Sequence, residues 1–222
     1  MNDTPQEIFS IIGMNYLLPI SKCLEMIMKE KRIPPIDLET IYDNGYSVGV
    51  VVLTVLMIES FIRKACLILN HDPDKKVLEY FKNEFSDYSR RECIEEVFVL
   101  RDVIAHNHLW SMNPSWNLNG IMTIHDVDLI SLGDKKYRRV KDPNTSRSNK
   151  LKMRLRPTNV CFEEAFIVLH EANYFFEYLE KKDKKIMLMD SMIIQYNDKV
   201  YKFREFIKEV PLLAEATIIS SV

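Results

Sequence analysis

Arg101-Asp102-Val103-Ile104-Ala105-His106-Asn107-His108 closes an apolar-periodic run over residues 93–105. Ile94, Val97, Phe98 and Ala105 mark the stripe that a helix of this sequence turns toward its core, and Arg101 falls on that same stripe. A guanidinium cannot shed its charge, so a half-buried one needs an anionic partner or an anionic ligand. His106 follows five positions later, where the helix runs out. On an ideal helix, side chains five apart point about 140° from each other. The two converge only if the helix loosens near residues 105–106, and Asn107 and Pro114 suit such loosening.

The segments before this stretch read as helices. Thr4-Pro5-Gln6-Glu7 is a capping box opening a helix over 4–30, with Pro19 set to kink it and Pro34-Pro35 beyond its end. Residues 38–69 form a second helix, apolar nearly all round from Val48 to Ile58, and this is the expected central element. Glu59 follows that run directly. Its partner is either Arg101 or Arg63, one turn along its own helix. Asp72-Pro73 starts a short amphipathic helix through Val77, Tyr80, Phe81 and Phe85, and Ser89-x-x-Glu92 caps the helix over 89–108.

Beyond Pro114 the period changes. Residues 120–131 and 137–140 read as strands about a Gly133-Asp134 turn. Residues 150–156 alternate strictly, with Leu151, Met153 and Leu155 on one face and Lys150, Lys152, Arg154 and Arg156 on the other. Helix returns at 159–182 with Cys161, Ala165, Leu169, Ala172, Phe176 and Leu179 as its buried stripe. A hairpin around Asn197-Asp198 and a short helix to Val210 end the pattern. The expected fold is mostly α: a four-helix bundle with a short β-ribbon at 111–157 between the third and fourth core helices. Residues 1–185 form the helical domain and 186–222 an extension packed on it.

Composition agrees. Only 5 glycines in 222 residues favour long helices over a turn-rich β fold. The four cysteines, Cys23, Cys66, Cys93 and Cys161, form no Cys-x-x-Cys pair and read as reduced, buried thiols of a cytoplasmic protein. Asp3 and Glu7 stand where a signal peptide would be basic, and the longest apolar run is too short to span a bilayer, so no membrane is expected. Charge is uneven. Residues 135–156 carry ten Lys/Arg against one Asp, a local +9 that leaves −11 for the rest of a chain whose total is −2. Lys135, Lys136, Arg138, Arg139, Lys150, Lys152, Arg154 and Arg156 are the expected contacts to a phosphate backbone, against the alternative of a solvated basic surface. Trp110, Trp116 and Tyr137 are candidates for base stacking or for the core.

An Arg, a polar residue, three further positions and a His, ending a helix of a small all-α domain, resemble the motif of the HEPN family. Leu100, Arg101, Asp102 and His106 carry the resemblance, which covers roughly residues 4–182. It implies a HEPN-like bundle and a metal-independent endoribonuclease of toxin or phage-defence type. Two motifs then face one cleft in a homodimer. RNA supplies its own nucleophile, the 2′-OH. His106 would serve the acid–base step and Arg101 the phosphorane oxygens, with no cofactor. Asp102 would orient His106 or bond backbone, and Asn107 and His108 would line the cleft. Some family members carry a modified Tyr two residues after the His; here that position is His108, which puts that control in doubt.

Competing readings remain. Arg101 paired with Glu59 as a structural bridge, with His106 at a helix C-terminus, needs no catalysis. The chain is then a non-catalytic module that binds nucleic acid or a partner protein, such as an antitoxin or scaffold. A metal site from His106, His108 and His125 lacks a carboxylate or Cys at suitable spacing. His71 and His170 read as incidental.

Overall fold

The computed structural model describes residues 12–29, 45–71, 76–105, 110–116, 118, 122–129, 135–145 and 147–209. The fold is mostly helical, with two small antiparallel hairpins. Its centre is α2 (Tyr46–Ile68), which packs against α1 (Leu17–Lys29), α4 (Arg91–Ala105) and α6 (Phe162–Lys182). The apolar run dictates this position. Val50, Val51, Val55, Met57, Ile58 and Ile62 are all fully buried, while Val52, Leu53 and Leu56, on the flank that leads to Glu59, are partly buried. Gly49 lies where α1 crosses closely: a Cβ there would stand 3.3 Å from Cys23 Sγ.

α3 (Val77–Glu84) buries Val77, Tyr80 and Phe81 as its spacing predicts, and the following Phe85 is buried with them. Phe81, Phe85 and Tyr88 meet Phe175 of α6 edge-on or tilted, at centroid distances of 5.5–5.7 Å. The expected stripe of α6 is buried throughout. Its start is displaced: Pro157–Asn159 form a separate 3-10 turn and α6 begins at Phe162, where Glu164 accepts the Cys161 N–H at 3.0 Å. On α4 the stripe also differs from expectation. Ala105 is exposed, and Leu100 and Val103 complete the buried face. The capping box at Thr4 lies outside the described residues. A 3-10 turn over Ile12–Tyr16 passes into α1 at Leu17, so Pro19 sits in the first turn of α1, where its missing N–H costs nothing.

The ribbon forms elsewhere than expected. β1 (Trp110–Trp116) pairs antiparallel with β2 (Met122–Leu129), from Trp110 opposite Leu129 to Trp116 opposite Met122. The strand expected at 120–131 is therefore real, but its partner precedes it. The strand expected at 137–140 is instead part of α5 (Lys135–Val140). Tyr137 and Val140 are three apart and both buried, while Lys135, Lys136, Arg138 and Arg139 are exposed, a helical rather than a two-residue period. Residues 150–156 keep the expected alternation in burial, with Met153 and Leu155 fully buried. They form no ladder, only a bridge between Arg147 and Arg154, because Lys152 takes a left-handed conformation (φ 55°).

The C-terminal hairpin matches its turn signal. β3 (Ile193–Tyr196) and β4 (Lys199–Lys202) flank Asn197 and Asp198, both at positive φ. Residues 203–209 form α7 and bury Phe203, Phe206 and Ile207. α1 holds this hairpin with two polar contacts. Ser21 donates to the Gln195 carbonyl, and the buried Glu25 accepts the Asn197 N–H at 2.9 Å while pairing with Lys22 at 2.8 Å. The Lys22 ammonium and that N–H hold the Glu25 carboxyl below its ordinary value of 4.5. A depressed carboxyl adds stability that is present above pH 4.5 and lost as the pH falls below it. Glu25→Ala should therefore cost about 1–3 kcal/mol near neutrality, and urea denaturation should show the difference from the parent shrinking as the pH is lowered through that range.

Candidate functional site

α4 carries the motif. Its C-terminal turn places Arg101 against α2, where the Arg101 guanidinium pairs with Glu59. The two side chains are only 19% and 23% exposed. Arg101 Nε lies 3.4 Å from Asp102 Oδ1, the guanidinium stands 5.9 Å from the Phe98 ring, and Nε itself is buried without a hydrogen bond. Glu59 thus takes Arg101, the interhelical partner, which is the pairing a charge on a buried stripe demands. Lys136 of α5 approaches Asp102 at 3.9 Å. Glu59, Arg101, Asp102 and Lys136 form one charged group at the α2–α4–α5 junction. His106, Asn107 and His108 lie outside the described residues, as does the side chain of His125, so their relation to Arg101 is carried by sequence alone.

The basic segment meets its complement inside the chain. Arg139 pairs with Glu95 at 2.7 Å, Lys150 with Glu92 at 2.8 Å and Lys152 with Asp142 at 3.0 Å. Arg154 bonds Glu164 at 2.8 Å and pairs with Glu163, and its own side chain is 12% exposed. Two buried carboxylates pin the backbone as well. Glu96 accepts the N–H groups of Lys150 and Leu151 at 2.7 and 2.9 Å, and Glu164 accepts that of Arg154 at 3.1 Å. Much of the local +9 therefore answers an acidic face built by α4 and the start of α6. Arg154 is a structural pin, not a surface contact. Lys135, Lys136, Arg138, Arg139, Lys150 and Lys152 keep exposed side chains, and Arg156 is half-buried.

The remaining candidates separate cleanly. Tyr137 is buried, so it belongs to the core and not to a stacking platform. Trp116 is 68% exposed at the end of β1, beside the fully exposed Leu118. The Cys161 thiol is pushed up to about 12 by burial and stays protonated. Among the described residues no group of three His, Cys, Asp or Glu is placed to hold a metal ion, and no helix is long and apolar enough to cross a membrane. No family model, no curated protein and no solved structure matches the chain.

Sequence reasoning missed the glutamates of α4. Their signal was available: Glu92, Glu95 and Glu96 share one flank of a helix whose other flank is apolar. Replacing Glu96 with Ala should orphan the Lys150 and Leu151 N–H groups and cost about 2–3 kcal/mol. Limited proteolysis should then cut within 141–156 well before any cut appears in the parent.

Proposed function

We propose that the chain is a metal-independent endoribonuclease of HEPN type, with Arg101 and His106 as its reactive pair. One observation carries the reading. A guanidinium is held in the last turn of α4, largely shielded from solvent between Glu59 and Asp102, five residues ahead of a histidine. The Arg101 fork offers five donors, and Glu59 engages one edge of it, so donors remain for phosphate oxygens. Asp102 and Lys136 add a carboxylate and an ammonium beside it. Lys136 and Arg139 of α5 stand beside Asp102 and Glu95 of α4, and the exposed cations of this helix suit an approaching RNA strand.

In this reading a base removes the 2′-OH proton of the substrate and the oxygen attacks the adjacent phosphorus. The P–O5′ bond then breaks, and an acid protonates the departing 5′-oxygen. The products are a 2′,3′-cyclic phosphate and a 5′-hydroxyl. His106 performs one proton transfer and the His106 of a second copy the other, so the working species is a homodimer. Arg101 binds the equatorial oxygens as charge accumulates on them. The setting is a cytoplasmic toxin or phage-defence protein, with an antitoxin or regulatory protein as its natural control.

The Glu59–Arg101 pair favours a second reading. A satisfied pair at a helix junction needs no substrate, and the chain then serves as a non-catalytic module that binds nucleic acid or a partner. Cleavage of mixed cellular RNA with EDTA present separates the two. The ribonuclease reading expects parent activity with cyclic phosphate ends, and a loss of at least about 100-fold in Arg101→Ala and in His106→Ala. Circular dichroism checks that both variants fold. Equal cutting by parent and variants removes the reading, and RNA binding without turnover leaves the module.

A further inference from the structure

A cleft of about 670 Å³ opens at the other end of α4, bounded by Lys82 of α3, Arg91, Glu92 and Glu95 of α4, Arg139 of α5 and the loop residue Lys150. Six residues, or about 9 Å of helix, separate Glu95 from Arg101. We propose that this cleft is a binding site for a phosphate-bearing ligand of oligophosphate or nucleotide size. Its volume lies within the roughly 300–1,000 Å³ range of small-molecule sites. The walls are pre-set rather than loose. Buried Glu96 fixes the loop through the N–H groups of Lys150 and Leu151, and Asn149 Nδ2 donates to the Arg139 carbonyl at 3.0 Å.

The charges at the rim are unequally matched. Glu95 is shared between Lys82 at 3.1 Å and Arg139 at 2.7 Å, so one carboxylate serves two cations. Glu96 is engaged by backbone donors. Lys150 pairs with Glu92, which is 65% exposed and also feels the charge of Arg91. Four cations therefore line the cleft with three carboxylates, of which Glu96 is turned to backbone donors. An exposed ion pair is worth only about 0–1 kcal/mol, so a phosphate group displaces Glu92 at little cost. Arg91 and Arg139 present planar forks that match phosphate oxygens, and Lys150 adds a mobile point charge. No aromatic ring lines the cleft among the described residues, so the phosphates and not a base are what it recognises.

The site uses neither Arg101 nor His106, though it shares Arg139 and Lys150 with the cations expected to meet RNA. The test is calorimetric titration of the full chain at low salt with pyrophosphate, with a nucleoside triphosphate and with a short single-stranded RNA. Arg91→Gln and Arg139→Gln should each weaken binding about tenfold. Glu92→Gln should tighten it severalfold, a gain that a misfolded variant cannot imitate. Lys202→Gln on the remote β4 should bind as the parent does. Binding of pyrophosphate or nucleotide assigns a free ligand. Binding of RNA alone, weakened by Arg91→Gln, assigns the same chemistry to a polymer backbone. Absence of binding to all three, or an unchanged affinity in Arg91→Gln and Glu92→Gln, overturns the proposal.

Discussion

The burial of most of α2 is the constraint from which the other placements follow. A helix with so little apolar surface left to water must be packed over most of its circumference, and α1, α4 and α6 supply that packing. Glu59 is the only carboxylate in α2. Once that helix is central, Glu59 must lie at an interhelical seam, and a cation from a neighbour has to meet it. Arg101 is that cation. The same constraint sets its level along α4. A charge pair at a junction of three elements is thus a product of packing as much as of chemistry.

The charge asymmetry has a similar double character. Read along the chain, ten cations in 22 residues ask for an external polyanion. In the fold, Glu92, Glu95 and Glu96 on α4 and Glu163 and Glu164 on α6 receive several of them. The energetics of these pairs differ with burial. Glu96 and Glu164 are almost fully buried and bond backbone N–H groups, so they position the segment. Glu92 and Lys150 are more than half exposed and contribute little. The basic segment is therefore anchored through its backbone while many of its cationic heads stay in water, an arrangement that separates holding the loop from presenting its charge.

The helices were legible because burial enforces the 3.6-residue period over many turns, as in α6, where every expected stripe position is buried. The short elements were not. Tyr137 and Val140 carry too few residues to tell a single helical turn from a strand, and only the packing of α5 on α4 decides it. Residues 150–156 alternate in burial without pairing, because alternation records which side faces the core and not whether a partner strand exists. β1 was hidden by Pro114, a residue that disfavours central strands but is admissible in a two-stranded ribbon, where every strand is an edge. The Asn119-Gly120 pair, a strong hairpin signal, stood in the sequence between the two strands.

α5 joins the two charged regions of α4. Its Lys136 stands over Asp102 and its Arg139 over Glu95, so a six-residue helix spans from the Arg101 junction to the cleft. The pairing runs antiparallel: three residues along α5 match seven along α4 in the opposite direction. Exchange of a carboxylate for a phosphate at Arg139 therefore acts on the same short helix that supplies Lys136 to the Arg101 group. Tyr137 and Val140 are buried and fix α5 to the core beside these contacts. The two sites differ in kind, the first a nearly closed charge group and the second an open cleft with one more cation than carboxylates. Their common dependence on α5 follows from a segment whose backbone is pinned by buried glutamates and whose cations reach toward both ends of one helix.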